Sequence, residues 1–463
     1  MDDRDPFIYR TSDFGKSWKR INANLPKHAL SYVRTVTEDP NCRGLLFAGT
    51  GNGLYYSLDD GGHWSALQNG LPQAPVTWAV VQKEFHDLVI STYGRGVYIL
   101  DDITPLEQLA RHRSDTAVVF FEPRKTYRFV RGGAAALNYS LTAVPKNPVQ
   151  LEILDSAGNP VRKLEQKAVV GINRFNWDLR YESPRVVALR TVAPDNARIW
   201  QEPRFREADS RPITHWGSNP AEVGPIVAPG AYSVRLRVDG QLLWQTLVVV
   251  SDPRSPGSEA DIELSVKTLL VIRDHISHVS DSVNQMEWLR KQLEVIQTML
   301  RPAKPLEKPA PEIVEEDDEP EVEPPPAPPR VLSDVEEQQR KELLTAAENL
   351  DHKLQTVESR LVSRALRNSD DKYFVEADGV YLDLMWLNAE VGTGGGDVAG
   401  GADFAPTEAQ LQSLQSLEGE MATADAEIRE ILQSDLPSFN QALMHANLTP
   451  LLAQKPQPLR KLQ

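Results

Sequence analysis

The 463-residue sequence contains one cysteine, Cys42. A single thiol cannot form an internal disulfide, and no group of cysteines and histidines has the spacing of a zinc site. No glycine-rich phosphate loop and no motif of a zinc protease or serine hydrolase occurs either. The sequence therefore predicts no disulfide framework, no metal site and no cofactor.

Long hydrophobic runs are also absent. The longest, such as Leu242 to Val250, fall far short of the roughly 20 residues that span a bilayer. The first six residues, Met-Asp-Asp-Arg-Asp-Pro, carry charges of both signs and no apolar stretch, unlike a signal peptide. We therefore expect no transmembrane segment, and the chain as given shows no export signal.

Basic residues are in the minority, because 50 Lys and Arg face 65 Asp and Glu, which gives a formal charge of -15. This surplus repels phosphate, so we expect no nucleic-acid partner. With 41% hydrophobic and 25% charged residues, the composition is that of a folded protein. The length allows about three domains.

An internal repeat is the clearest positive feature of the sequence. Residues 11–18 (Thr-Ser-Asp-Phe-Gly-Lys-Ser-Trp) and 57–64 (Ser-Leu-Asp-Asp-Gly-Gly-His-Trp) share a hydroxyl, Asp, Gly and Trp at the same offsets, 46 residues apart. A third copy lies 43 residues further on, where residues 89–102 align with residues 46–59, keep the aspartate as Asp102 and lose the glycine and tryptophan. This period, with several short strands per unit, predicts β-propeller blades.

The chemistry of the repeated residues indicates a structural role. An aspartate preceded by a hydroxyl accepts the unpaired backbone N–H groups of a tight turn between two strands. The glycine supplies the positive φ of the turn, and the tryptophan folds back over the blade as a packing anchor. The residues predicted to act in this way are Thr11, Asp13, Gly15 and Trp18 in the first copy, and Ser57, Asp59, Gly61 and Trp64 in the second.

These residues resemble the Asp-box, or BNR, repeat of sialidases, xyloglucan-cleaving glycosidases, the luminal domain of sortilin and bacterial sortilin-like (VPS10-type) proteins. The stretch from Tyr93 to Leu106 is similar to the end of the propeller in the bacterial sortilin-like group. In that group an Ig-like β-sandwich and a helical tail follow the propeller. The resemblance implies a multidomain fold, mainly β and then α, with partial Asp-box β-propeller blades, an Ig-like sandwich and a C-terminal helical coiled coil or bundle.

The β-rich part is predicted to contain two domains. Residues 1–104 would form the C-terminal blades of the propeller, and residues 117–252 an Ig-like sandwich with an irregular insertion at 183–228. Two stretches near Trp177 and Tyr232 resemble an Ig-like module related to the flagellar hook-capping protein, a module of exported bacterial proteins.

The remainder is predicted to be helical. Apolar residues at steps of three, four and seven indicate one long helix over 259–301, of coiled-coil length. Residues 302–330 are dense in proline and glutamate and predict an extended, disordered linker. Residues 331–450 are expected to form a helical bundle, with helices from about Ser333 to Leu366 and from Thr407 to Leu432.

A propeller usually needs at least four blades to close. Residues 1–104 hold two blades and the end of another. We therefore expect the chain to be the C-terminal part of a longer protein, or one half that associates with another chain.

The candidate ligand contacts lie away from the aspartates. In the family the Asp-box turn faces away from the ligand pocket, whereas the turns Gly51-Asn52-Gly53 and Gly94-Arg95-Gly96 resemble pocket-side loops. Arg95 with Tyr93 is the candidate ligand contact, since a guanidinium pairs with carboxylates. The alternative is that Arg95 bonds to nearby carbonyl groups.

No catalytic residues are predicted. Nothing in residues 1–104 singles out the two carboxyl groups that glycoside hydrolysis generally needs. His275 and His278 are three residues apart on a predicted helix, but with no carboxylate clearly on the same stripe they are expected to be solvated rather than metal-binding.

Two functions remain open. The first is a non-catalytic exported binding or scaffold protein that recognises a peptide, protein or glycan through its propeller and associates through its C-terminal helices. The second is an Asp-box-type glycoside hydrolase, sialidase-like or xyloglucanase-like, whose catalytic residues lie in upstream blades. In both, the resemblance implies an extracellular or periplasmic location.

Overall fold

The computed structural model describes residues 4–68, 70–112, 116–129, 133–213, 223–301, 333–364, 379–393 and 403–454. Contacts divide the chain into two compact units. Unit 1 comprises Met1–Glu182 and Ile226–Glu259, and unit 2 comprises Ser183–Pro225 and Ala260–Gln463. Unit 1 is rich in strands and unit 2 in helices, so the expected order of a β-rich part followed by C-terminal helices is confirmed.

The first 100 residues of unit 1 form three small antiparallel sheets. The first sheet pairs β1 (Tyr9–Arg10) with β2 (Lys19–Arg20). The second sheet has, in order, β3 (Val33–Glu38), β4 (Leu46–Thr50), β5 (Gly53–Ser57) and β6 (Ser65–Leu67). The third sheet has, in order, β7 (Val76–Gln82), β8 (Asp87–Thr92) and β9 (Gly96–Leu100).

The second sheet is covered on both faces. Leu46 and Ala48 of β4 belong to an apolar cluster with Ile8 and Ile21 of the first sheet region. Phe47, between them, points the other way and joins a cluster with the third sheet. Because successive side chains of a strand alternate between faces, a strand buried on both sides is mostly apolar, and all five residues of β4, of which only Thr50 is polar, are buried.

Two further sheets complete unit 1, after a short helix, α1 (Thr104–Arg111). One has the order β10-β12-β15 and the other β11-β17-β16-β13-β14, in which β11 and β17 run parallel. The strands are β10 (Val118–Phe120), β11 (Thr126–Arg128), β12 (Ala135–Leu141), β13 (Val149–Leu154), β14 (Pro160–Gln166), β15 (Gly171–Trp177), β16 (Gly230–Val238) and β17 (Gln241–Ser251). Alternating apolar residues from both sheets form one core.

The segment Ser183–Pro225 groups with the helices of unit 2 rather than with the strands that flank it in sequence. Its described part contains one 3₁₀ turn, Ile199–Gln201. The sequence predicted an insertion into the sandwich at this place, and the contacts show that the insertion belongs to the other unit. The predicted linker 302–330 lies outside the described residues.

Five helices of unit 2 are described. They are α2 (Glu259–Leu300), α3 (Asp334–Leu361), α4 (Gly379–Asn388), α5 (Glu408–Glu430) and α6 (Leu436–His445). Ser333 and Thr407 begin α3 and α5 with capping boxes. In each, the hydroxyl accepts an N–H of the first turn, and the side chain of the third helical residue accepts the N–H of the capping residue. A π-helical turn, Ile431–Asp435, joins α5 to α6.

The apolar faces of these helices share one core. Ile272, Ile276 and Val283 of α2 are fully buried, at steps of four and seven residues along the helix. Helix α3 ends five residues earlier than Leu366, the predicted end, because Val362 already has an extended backbone with φ −152°.

Candidate functional site

In the first repeated turn, the aspartate accepts hydrogen bonds from residues of the same turn. Oγ1 of Thr11 donates to Oδ1 of Asp13 at 2.9 Å and accepts the N–H of Gly15 at 2.8 Å. The N–H of Ser17 donates to Oδ1 of Asp13 at 2.8 Å, and its hydroxyl donates to Oδ2 at 2.6 Å. These hydrogen bonds, from the Ser17 side chain first, lower the pKa of Asp13 to about 2.

The second turn repeats the arrangement. Oγ of Ser57 donates to Asp59 and accepts the N–H of Gly61, each at 2.9 Å. Burial raises the pKa of Asp59, but the hydrogen bonds from the side chain and N–H of His63 outweigh that effect and hold it at about 2. A carboxylate with so low a pKa stays ionised near neutral pH and is a poor general acid.

The two tryptophans of the repeat differ. Trp64 is only 4% exposed, and its Nε1 donates to the carbonyl of Ile21 at 2.7 Å. Trp18 is 61% exposed, contrary to the expected packing. Trp64 belongs to the apolar cluster of Ile8 and Ile21, whereas Trp18 belongs to none of the apolar clusters of the described residues.

Asp102, in the third copy, is buried in a different setting. Its Oδ1 accepts the hydroxyl of Thr104 at 2.6 Å, at the start of α1, and its Oδ2 accepts Nδ2 of Asn138 on β12 at 3.0 Å. Arg174 of β15 donates to the main-chain carbonyl of Asp102. The third aspartate therefore ties the third sheet to the following strands, and a helix replaces the fourth strand.

The turns at the opposite strand ends expose the candidate ligand contacts. Gly94 and Gly96 have φ of 79° and 83°, a region that favours glycine, so the chain reverses within the turn between β8 and β9. Tyr93 is 75% exposed, and Arg95 at the tip of the turn is also exposed. In the equivalent turn between β4 and β5, Gly51 packs too closely on Tyr32 for any side chain.

The third sheet exposes a second feature that the sequence analysis missed. Two rows of side chains cross the sheet on the side away from the second sheet. These rows, here called the outer face, are Trp78, Ser91 and Val97, and Val80, Val89 and Ile99. Trp78, Val97 and Ile99 are each more than 60% exposed.

The inner face of the same sheet is apolar as well. Ala79, Val81, Leu88 and Ile90 are buried against the second sheet. The third sheet thus has the two-sided apolar composition of the second sheet but only one covered face. In addition, β9 is an edge strand, because no described strand pairs with its far side. The signal in the sequence was the run of consecutive apolar residues in β7 and β9.

A cleft of about 440 Å³ lies at the other strand ends of unit 1. It is lined by His86, Thr104, Glu107, Gln108, Arg111, Glu122, Pro123, Arg124, Lys125, Thr246 and Val248. Nδ1 of His86 lies 2.5 Å from the buried carboxylate of Glu107, which Arg111 also binds at 3.1 Å. The carboxylate fixes the imidazole, as in many general bases. The Thr104 hydroxyl that lines the cleft donates to Asp102 instead, so the cleft offers no activated nucleophile among the described residues.

Unit 2 contains a buried charge cluster. Glu287 of α2 and Glu358 of α3 are both fully buried, and NH1 of Arg290 donates to them at 3.2 and 2.7 Å. Burial, with the neighbouring Glu287 carboxylate, raises the pKa of Glu358 to about 8. Burial also acts on Glu287, but hydrogen bonds from Glu358 and Thr191 lower its pKa overall. The carboxyl groups reach no solvent, so the cluster holds segments together rather than binding a substrate.

Residues 185–192, here called the strap, run along α2 and bind it through their backbone. The N–H groups of Arg185 and Ala188 donate to Ser277 and Asn284 at 3.1 and 2.7 Å. The N–H of Thr191 donates to Glu287 at 2.7 Å. Polar side chains of α2 thus accept backbone N–H groups that in a sheet would pair with a neighbouring strand.

The two helix histidines bind carboxylates of another helix. Nε2 of His275 lies 2.9 Å from Oε1 of Glu418, and Nε2 of His278 lies 2.8 Å from Oδ2 of Asp425. Both carboxylates belong to α5, more than 140 residues away, so no local pattern reveals them. Within the described ranges, no three His, Cys, Asp or Glu side chains come together as a metal site.

The comparisons with known proteins give little support for any family. No protein-family model matches the sequence, and neither does any curated protein. The solved structures that align with it include two of the extracellular domain of BT4673 from B. thetaiotaomicron, described once as a one-component system and once as a hybrid two-component system. Identity is 9% and 10%, and the TM-score is 0.17 in both cases. The alignments cover 53% of this chain and only 28% and 29% of those structures.

No helix in the described part of the chain is both long enough and apolar enough to cross a bilayer.

Proposed function

We propose that the protein is a non-catalytic binding or scaffold protein that holds a polypeptide partner on the outer face of the third sheet. The observation that carries this proposal is the exposure of Trp78, Val97 and Ile99 side by side on a regular sheet. Exposed aromatic residues surrounded by apolar side chains are enriched at protein interfaces, where they fill pockets of the partner.

The chemistry of the outer face favours a polypeptide over a glycan. Ser91 is the one polar residue in its two rows, and a sugar needs several hydrogen-bonding groups to be held. A protein or peptide supplies apolar side chains for the face and backbone groups for the open edge of β9. Arg95 and Tyr93, at one end of the face, would bind a carboxylate of the partner.

The proposal extends to the architecture. The three small sheets would serve as blades of an incomplete Asp-box propeller of the sortilin-like type, in which a partner occupies the outer face in place of a further blade, and the protein would be exported to the periplasm or the exterior. The support is the repeat itself and the turns at Asp13 and Asp59, whose hydrogen bonds match in both copies. Association through the C-terminal helices stays a prediction.

The glycoside hydrolase alternative places its catalytic residues in upstream blades, and the described residues add no support for it. Asp13 and Asp59 are each occupied by at least three hydrogen bonds within their own turns and have pKa values of about 2. Neither suits the protonated acid that glycoside hydrolysis needs. No feature of the described residues favours this second function.

A peptide library tests the proposal. Immobilised synthetic peptides of alternating apolar pattern, with and without a carboxylate at one end, are offered to the protein and to the W78S and R95A variants. We expect binding of the wild type, at least tenfold weaker binding of W78S, and a loss of the preference for carboxylate in R95A. W244S, which changes an exposed tryptophan on β17, is the matched control. Equal binding by the wild type and W78S, or release of sugar from glycans, would overturn the proposal.

A further inference from the structure

We infer that the partner on the outer face is a second copy of this chain, related by a two-fold axis in the plane of the interface and perpendicular to the strands. The inference rests on the proposed function only in using the same face. It names the occupant, and with it the carboxylate that Arg95 binds.

The chain already contains the type of contact that the inference requires. The second sheet packs its Phe47 side against the third sheet and its Leu46 side against the first. Sheets packed in this way lie about 10 Å apart with their strands nearly aligned. A second copy of the third sheet, placed on the outer face, would cover Trp78 and Val97 in the same manner.

The charges select the orientation. The two central rows carry no charged residue, as an interface core requires. Arg95 lies just before β9, and the exposed Asp101 lies just after it, two residues beyond Ile99. A two-fold axis perpendicular to the strands reverses the strand direction of the second copy, so that each Arg95 faces the Asp101 of the other. A two-fold axis along the strands would instead place each Arg95 near the other.

The size of the face sets the strength of the association. Three strands about 4.8 Å apart and five residues long cover roughly 250 Å². Stable complexes bury about 800 Å² per partner, so this contact is small. We therefore expect a weak, reversible dimer that is populated only at high protein concentration.

Sedimentation equilibrium of the whole chain between 1 and 300 µM, at low salt, tests the inference with charge-reversal variants. R95D and D101R place like charges opposite each other, so each alone should dissociate at least tenfold more readily than the wild type. An equimolar mixture of R95D and D101R should associate again, because every pair in the mixed dimer is then of opposite sign. K167D changes the net charge as much as R95D does, at an exposed position of unit 1, and should dimerise like the wild type.

The outcomes separate the two proposals. A wild type that stays monomeric at 300 µM overturns the second copy as occupant, while peptide binding that W78S abolishes would still uphold the binding function. A dimer that R95D and D101R leave unchanged, or a mixture that fails to associate, overturns the two-fold arrangement. If W78S dimerises like the wild type, the outer face is not the interface.

Discussion

Oγ1 of Thr191 donates a hydrogen bond of 2.6 Å to Oε1 of Glu287, although 96 residues separate the two in sequence. Both side chains are buried. The same hydroxyl accepts NH2 of Arg364 at 2.7 Å, so Thr191 links the strap, α2 and the segment that follows α3. One hydroxyl thus joins three segments of unit 2.

Replacement of Thr191 by valine should destabilise unit 2. Valine keeps the shape and removes both hydrogen bonds, which leaves a buried carboxylate and a buried guanidinium each short of a partner. The expected loss is about 1–3 kcal/mol of the free energy of unfolding, because hydrogen bonds to charged groups are involved. Urea unfolding followed by helical circular dichroism measures it. T345V, at an exposed threonine of α3, should lie within about 0.5 kcal/mol of the wild type, and an equal effect of both variants would contradict the assignment.

Stability should depend on pH through Glu358. Its pKa in the folded protein, about 8, lies above the ordinary value of 4.5. The folded state therefore holds a proton that the unfolded chain has released, and this contribution is complete below pH 4.5 and lost as the pH rises through about 8. One such group changes the free energy of unfolding by at most ~1.4 kcal/mol per pH unit.

Substitution of Glu358 by glutamine should remove this dependence. The neutral amide needs no proton to stay buried, so E358Q should lose less stability than the wild type between pH 6 and 9. Urea unfolding of unit 2 at several pH values gives both slopes. E342Q, at an exposed glutamate of α3, should keep the slope of the wild type. Parallel curves for E358Q and the wild type would show that Glu358 is ionised when folded.

The two repeated turns should respond differently to alanine. Gly15 and Gly61 both have φ near 86°, which costs an alanine about 1–2 kcal/mol. A Cβ at Gly61 would also lie 2.6 Å from Cδ1 of Ile21, whereas at Gly15 the nearest atom of Trp18 is 3.9 Å away. G61A should therefore lower the thermal midpoint clearly more than G15A. Equal shifts would mean that Ile21 moves aside at little cost.

Local patterns predicted much of the fold. The offsets of hydroxyl, aspartate and glycine placed Asp13 and Asp59 in turns, and the helical steps placed a helix over 259–301, where α2 spans Glu259–Leu300. These features depend on residues near each other in sequence. The identical motif did not reveal that Trp18 is exposed and Trp64 buried, because burial depends on which strands lie alongside.

The candidate sites were less accessible from the sequence. Tyr93 and Arg95 proved exposed, as a ligand contact requires, and their role stays a proposal. The outer face was missed because Val97 and Ile99 look like core residues in a linear pattern. The partners of His275 and His278 were missed because pairing between helices depends on the packing of the whole unit.

The strap has consequences for the order in which the chain folds. Five of its amides find their acceptors on a helix that begins about 70 residues after it, and the last of those acceptors, Glu294, lies 102 residues beyond Val192. During synthesis the strap emerges from the ribosome well before these acceptors, and apart from the backbone pair of Leu189 with Arg211 it lacks these partners until α2 has formed. A chain whose synthesis stops before residue 294 would leave an amide of the strap without its acceptor. Such an exposed segment is a ready target for proteases that remove unfinished proteins.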